Sequence, residues 1–550
     1  MIAPWERAQN RRRHLIVPLM PTPNGRLHLG HIAGPFLRMD VLARHVRRRG
    51  DDVAVIFGTD AYDSYISLSA QKDGGNRFDI CQHYHALILD DLESMNIQVD
   101  AFINPLEPEW RESYHQFHQG FAKHLIDKGQ VEIVREKVPY SPADGLYMVG
   151  GFLSGRCPDC LAEVANYLCE RCGGHLRPES LLSPQPRFNT GPIEWRTVES
   201  VFIRIPDKPE LLPRLVDAGI PPDLINRVGE YMQRHGNLVR LTTPGTWGVP
   251  IDSEERVLFS YTSLLPYSLY CGQVYAEMNS VDYPFALDSD VLTTASCGTD
   301  NLVSGLASVL GGAMAHGDVK PFDRLLLNHL YNLEGQKFST SRGHAIWVND
   351  ITKVPTVPVD SIRYFLALVN PEDEPASLNV SEFIDTHNND LATALTAKAE
   401  IAAGKIRQGM TPEHTIGGTM ATELALLFDR QEKALDAHHV STATAARSIR
   451  EWVHSTPPSN SEDAYWWLKG LALLSSPIMP DLAGELWRSL GHSGEPTLAH
   501  FPIRTAPWTP ALPTFTTISR ADLASCLPES LNNADLAESV SEKTGATSDV

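Results

Sequence analysis

No stretch of the chain approaches the ~20 consecutive apolar residues that a membrane-spanning helix requires. The one apolar run near the start, residues 15–20 behind Arg11-Arg12-Arg13, is too short for the core of a signal peptide. Such a chain is expected to work in the cytoplasm, with no membrane partner. A Walker-type GxxxxGK[ST] is missing, and no GxGxxG sits between a strand and a helix, so any nucleotide must be held in another way. Basic excess is missing too: 47 Lys+Arg face 67 Asp+Glu, a net charge of −20, which argues mildly against wholesale coating of nucleic acid while leaving room for a local basic strip. There is no internal repeat. What remains is ordinary globular composition, 42% hydrophobic and 21% charged, over 550 residues. That length implies about three or four domains and excludes a peptide hormone or single binding module.

Four of the eight cysteines are clustered, as Cys157-Pro-Asp-Cys160 and, after eight residues, Cys169-Glu-Arg-Cys172-Gly-Gly. Two CxxC knuckles with a short spacer place four thiolates around one tetrahedral ion, and four thiolates leave no open position, so the expected zinc is structural. Paired disulfides are the alternative, disfavoured by the expected reducing compartment. Cys81, Cys271, Cys297 and Cys526 have no ligand-like spacing and read as core or incidental.

Along the chain, the apolar run at 14–19 reads as a buried strand, Pro21-Thr22-Pro23-Asn24-Gly25 as a turn, residues 30–49 as an amphipathic helix, and 53–57 as a second buried strand. Strand, turn, helix, strand opens a doubly wound α/β fold. The expected domains are a Rossmann-type first half over 12–119, an insertion with the zinc knuckle over 120–239, and a second half over 240–348. A connector over 349–381, an Ala-rich helical bundle over 382–502 and a mobile, Thr/Ser/Pro-rich acidic tail over 503–550 follow.

Two segments carry chemistry. In Pro21-Thr-Pro-Asn24-Gly-Arg-Leu-His28-Leu-Gly30-His31, two imidazoles three residues apart share a face of a first helical turn, where backbone N–H groups favour phosphate, and Gly30 leaves room for a flat group against the backbone. The second segment is Gly335-Gln-Lys337-Phe338-Ser339-Thr340-Ser341-Arg342-Gly343. Taken singly, each also reads as a solvated polar stretch.

In this order, with the cysteine knuckles between them, the segments resemble the HIGH and KMSKS signatures of class I aminoacyl-tRNA synthetases, and the knuckle narrows the resemblance to the methionyl-tRNA synthetase family. Gly58-Thr59-Asp60 and Gly298-Thr299-Asp300 match as well, and the resemblance covers roughly residues 12–500. It implies an ATP-dependent ligase that forms an aminoacyl adenylate, with magnesium and zinc. His28 and His31 are implied at the α-phosphate and Lys337 at the β- and γ-phosphates. Asn24, Gly30, Ser339 and Ser341 would line the ATP site, Gly298 would pack near adenosine and Asp300 would bind ribose. Met20, Thr22, Asp60, Tyr261, Asn301 and Ser304 would surround the amino acid, with Asp60 on its ammonium.

Three departures separate the chain from an ordinary methionine enzyme. Thr340 stands where the second KMSKS lysine belongs, with Arg342 as the nearest substitute. Thr22, Tyr261-Thr262-Ser263-Leu264, Asn301, Ser304 and Gly305 replace apolar or aromatic walls of the methionine pocket, which favours a smaller or more polar amino acid. Ala397, Ile401 and Ser459 fall where the family reads its anticodon. The expected reaction is therefore transfer from the adenylate to a small amine, hydroxylamine or partner-bound acceptor, as in methionyl-synthetase-like domains of hydrazine-forming enzymes. The chain has no obvious cupin-like cluster of metal histidines, so a cupin partner would be a separate protein. The alternatives are a methionine-tRNA ligase serving translation, and a non-catalytic paralogue that senses an amino acid or binds RNA.

Overall fold

The structure is a computed structural model and describes residues 11–165, 167–169, 171–188, 191–251, 255–261, 263–406, 418–436, 440–501, 512 and 514–532; the side chains of Ser304 and Ser341 fall outside the description, as does Thr262. Its centre is a five-stranded parallel sheet. The strands are β1 (Arg13–Pro18), β2 (Asp52–Gly58), β3 (Ala101–Ile103), β4 (Leu292–Gly298) and β5 (Arg324–Asn328), in the order β5-β4-β1-β2-β3. The expected α/β class holds. β1 pairs with β4 on one side and β2 on the other, so strand order reverses there, and the crevice beyond the carboxyl ends of β1 and β4 is where such sheets bind ligands.

Apolar runs account for the sheet: Leu15, Ile16, Val17, Val55, Ile56 and Phe57 are all buried, as parallel strands covered on both faces must be. The helix after β1 starts as Leu29–His31, opens into π geometry over Ile32–Phe36 around Pro35, and continues as Leu37–Arg49. At the other end of β2, Gly58 is obligatory, because a Cβ there would lie 1.9 Å from the carbonyl oxygen of Ile103.

Between β3 and β4 the chain builds a second sheet, in which the long strand Val131–Ser141 pairs antiparallel with Glu194–Arg204, and Leu238–Arg240 adds to the far edge. The cysteine knuckles sit on a separate three-stranded sheet of Leu153–Arg156, Glu163–Val164 and Leu182–Pro186. The connector is folded rather than bare: Val359–Leu368 is a helix, and Ala376–Leu378 pairs parallel with Tyr331–Leu333. The bundle helices Thr396–Ile406, Gly418–Asp436, Thr442–His454, Ser461–Ser475 and Pro480–Ser489 enclose Trp452, Trp466, Trp467 and Trp487.

Buried arginines join the connector and the bundle to the helix that follows β1. Arg363 pairs with Asp40 at 2.6 Å, both fully buried, and also donates to the carbonyl of Ile478 at 2.7 Å. Arg48 donates to the carbonyl of Leu473 at 2.7 Å and meets Glu432 at 3.1 Å. Removing one partner of such a pair strands a buried charge, so these contacts fix how the bundle sits.

Mobility was expected of the tail, yet its described part is packed. Phe515, Ile518, Leu523, Cys526 and Leu527 are buried. His387 meets the carbonyl of Thr516 at 2.7 Å, and Asn388 exchanges hydrogen bonds with the backbone of Ile518. The reason is composition at short range: a few apolar residues inside the polar stretch complete an apolar seam made by Leu29, Ile346, Ile362 and Phe383. The rest of 503–550 lies outside the described residues.

Candidate active site

The two signature segments meet over the carboxyl end of β1. The N–H of Leu29 donates to the carbonyl of Ile346 at 3.0 Å and that of Val348 to Leu27 at 3.1 Å, so the segment after the second motif pairs with the first. Asp91, fully buried, holds the first loop from below: it takes Arg26 at 2.7 Å and the N–H of Leu27 at 2.9 Å. The second motif leaves a tight hairpin at Glu334-Gly335, both with positive φ, a turn that matches strand twist. Glu334 then accepts from the N–H of Val380 at 2.9 Å, which anchors the hairpin to the end of the connector.

His28 and His31 are stacked, 3.7 Å between ring centroids. The N–H of His28 donates to Nδ1 of His31 at 3.1 Å, which leaves Nε2 of His31 to carry the proton. Burial pushes both imidazoles down, His28 to about 2 with His31 adding to the effect, and His31 to about 4. They are therefore neutral near pH 7, hydrogen-bond donors rather than cations. The space expected above Gly30 is filled, since a Cβ there would meet the Phe338 ring at 3.0 Å. Lys337 and Thr340 are exposed at the mouth. A cleft of about 990 Å³ beside them is lined by Asn24, Gly25, Arg26, Tyr84, Thr340, Trp347, Asn349 and Asp350. Ser339 exchanges backbone hydrogen bonds with His344 at 3.0 Å, and Arg342 is exposed beside Thr340.

Across the crevice, Gly298 ends β4, and a Cβ there would lie 2.1 Å from Oδ1 of Asp300, so any larger residue would push that carboxylate aside. Asn301 donates to the same Asp300 oxygen at 3.1 Å. Asp60 ends the loop after β2, and its N–H donates to the carbonyl of Pro21 at 3.0 Å, which brings the loop of Met20 and Thr22 beside it. Burial, reinforced by Asp63, holds the Asp60 carboxyl well above the usual range, and burial raises Asp63 to about 6. Neither has an ion-pair partner among the described residues. Burial, then Asp63, Tyr65, Asp60 and Asp300 in turn, raises the phenol of Tyr261 well above its usual range.

The four cysteine sulfurs lie within 4.8 Å of one another, with Cys157 to Cys172 at 3.8 Å and Cys160 to Cys169 at 3.4 Å. Zinc–sulfur bonds of about 2.3 Å at tetrahedral angles need thiolates about 3.8 Å apart, so this donor set fits one zinc ion. The second knuckle touches the active site: the N–H of Val303 donates to the carbonyl of Gly173 at 3.3 Å. A second trio, His124, His316 and Asp318, also clusters. There the Lys128 ammonium donates to Asp318 at 2.8 Å and compensates its charge.

Sequence reasoning missed Asp63, Asp91 and the role of Phe338. Asp63 had a signal, a carboxylate three residues after Asp60. Asp91 had none, because its partner segment is distant in sequence.

A parallel sheet with both motifs at its switch point and a four-cysteine insertion between the halves defines a class I aminoacyl-tRNA synthetase catalytic domain. A profile for "tRNA synthetases class I (M)" matches residues 14–400, and the chain belongs to that family of adenylate-forming ligases. It is similar to methionine--tRNA ligase of Methanopyrus kandleri, 26% identical over 509 residues covering 87% of this chain and 75% of the relative. That of Chlamydia muridarum is 28% identical, covering 86% and 91%. Among solved structures, Mycobacterium tuberculosis methionyl-tRNA synthetase bound by methionyl-adenylate superposes with a TM-score of 0.69 at 18% identity, over 92% of this chain and 99% of that one. No described helix is long and apolar enough to cross a membrane.

Proposed function

We propose that this site joins the carboxylate of an amino acid to the α-phosphate of ATP and releases pyrophosphate. The observation that carries the reading is that the first motif's turn pairs through Leu27 and Leu29 with the segment after the second motif, and His28 stacks on Phe338 of that motif, opposite Asp60 and Asp300. Asp60, aided by Asp63, takes the substrate ammonium. The neutral imidazoles donate to α-phosphate oxygens, Lys337 reaches the β- and γ-phosphates with magnesium, and Asp300 takes ribose hydroxyls beside Gly298. Asn24, Ser339 and Ser341 complete the ATP side, and Met20, Thr22, Tyr261, Asn301 and Ser304 the amino-acid side. Positioning and charge do the catalysis, without a covalent enzyme intermediate.

The named relatives are methionine--tRNA ligases, and they favour methionine as the amino acid and tRNA as the acceptor. A second reading rests on specific residues. Ala397 and Ile401 are exposed on the bundle helix and offer no hydrogen-bonding group to an anticodon base, Ser459 is exposed without an aromatic neighbour in Pro457-Pro458, and Thr340 removes a phosphate-side cation. These favour transfer to a small amine, hydroxylamine or partner-bound acceptor. The test is incubation with ATP, the best amino acid and total bacterial tRNA, resolved on an acid gel. Stoichiometric charging of a methionine tRNA supports the relatives' activity; adenylate turnover with uncharged tRNA supports the second reading.

A further inference from the structure

Beside the amino-acid site lies a second cleft, with about 180 Å³ of water-accessible space, open to solvent on one side. Tyr62, Ser64, Arg77, Trp247, Glu255 and Ser260 are among its walls. Tyr62 and Ser64 flank Asp63, and Ser260 precedes Tyr261, so the cleft opens next to the groups that would hold the activated amino acid.

Arg77 is its distinctive feature. The guanidinium lies over the Trp247 indole, 4.6 Å from the ring centroid. The indole is itself fixed: its N–H donates to the carbonyl of Ala61 at 3.1 Å, and the rings of Tyr62 and Phe78 meet it edge-on at 5.6 and 5.3 Å. The cation is half-buried, and among the described residues no carboxylate pairs with it. A half-buried guanidinium on a rigid aromatic platform is a preorganised receptor for a planar anion. Among the described lining residues Arg77 is the single cation and Glu255 the single carboxylate. One charge of each sign suits a zwitterion; a nucleic-acid strand would call for several cations along its phosphates.

We propose that this cleft binds the acceptor, that the acceptor is an amino acid reacting through an amine, and that Arg77 holds its carboxylate. The proposal rests on the small-acceptor reading above. In the transfer step the unprotonated amine attacks the carbonyl carbon of the adenylate, and a carbon–nitrogen bond forms. The carbon–oxygen bond to phosphate breaks, AMP leaves with that electron pair, and the amine proton passes to water.

The test measures AMP release by the full-length, zinc-loaded protein supplied with ATP and its best amino acid. The added acceptors are matched pairs: lysine with cadaverine, ornithine with putrescine, glycine with methylamine, and separately total tRNA. At least one carboxylate-bearing member should accelerate AMP release ~10-fold or more over its decarboxylated partner, the scale of losing one charged contact. In Arg77→Ala that advantage should shrink to within about twofold through a raised acceptor KM, and Arg77→Lys should restore part of it. Equal acceleration by both members of every pair overturns the role of Arg77 while leaving a small acceptor in place. Acceleration by tRNA alone, or by nothing, overturns the small-acceptor reading and this proposal with it.

Discussion

The ring of Phe338 lies nearly parallel to the imidazole of His28, with 4.7 Å between centroids and 16° between planes. Phe338 follows Lys337 in the second motif, and His28 opens the first. The stack therefore couples the placement of Lys337 to that of His28, the two residues proposed to meet the phosphates, and it also covers Gly30. Offset aromatic stacking contributes ~0.5–1.5 kcal/mol beyond burial.

Removing a transition-state donor costs ~100-fold or more. His28→Ala, His31→Ala and Lys337→Ala should each lower amino-acid-dependent pyrophosphate exchange by that factor while changing ATP affinity much less. Phe338→Ala should cost up to ~10-fold through misplacement, and Phe338→Tyr, which keeps the ring, should cost little. Steady-state exchange kinetics read all five.

Zinc should be present at about one per chain, and Cys160→Ser should lower metal content and melting temperature together. Because the carbonyl of Gly173 accepts from Val303 beside Asp300, exchange activity should fall with the metal. Metal analysis alongside thermal denaturation checks this, and a zinc-free preparation with full stability would contradict it.

Asp63 sits near 6 without substrate because burial penalises its charge. Asp60, which burial holds well above the usual range, titrates with it, and a bound ammonium favours both carboxylates ionised, so binding should release protons from about pH 5 upward and the amino-acid KM should rise as pH falls towards about 5. Calorimetry in buffers of different ionisation enthalpy measures the proton release. Asp63→Asn retains an acceptor for the N–H of Tyr65, and so the helix cap, and should flatten the profile.

The packed tail should contribute to stability. Leu523 is 1% exposed, and Leu523→Ala should cost about 2–5 kcal/mol, the range for deleting a buried leucine side chain. Thermal unfolding reports the loss, and an unchanged transition would mean that the seam against Leu29 and Ile346 is not formed in solution.

Much of this was legible in the sequence for identifiable reasons. Buried parallel strands are uniformly apolar, so β1 and β2 were readable, and thiolate spacing within each knuckle is local. The HIGH- and KMSKS-like segments pair in space, but only resemblance joined them beforehand; nothing in either one encodes the hydrogen bond from Leu29 to Ile346. Charge states were not legible, since His28 and His31 are neutral because of burial that local composition does not reveal. The tail misled because its average composition is polar, while five apolar residues at suitable positions are enough to dock it. Arg77 and Trp247 lie far apart in the chain, and their platform follows from tertiary packing alone.

The central claim is amino-acid activation, and ATP–pyrophosphate exchange with each amino acid supplied singly tests it most directly. The account predicts strictly amino-acid-dependent exchange that Asp60→Ala abolishes. Because Thr22 and Asn301 put polar groups where the family has apolar or aromatic walls, it also predicts a best substrate smaller or more polar than methionine. Methionine far ahead of all others would restore the ordinary methionine specificity of the relatives. No exchange with any amino acid, from zinc-loaded and folded protein, would contradict the account itself.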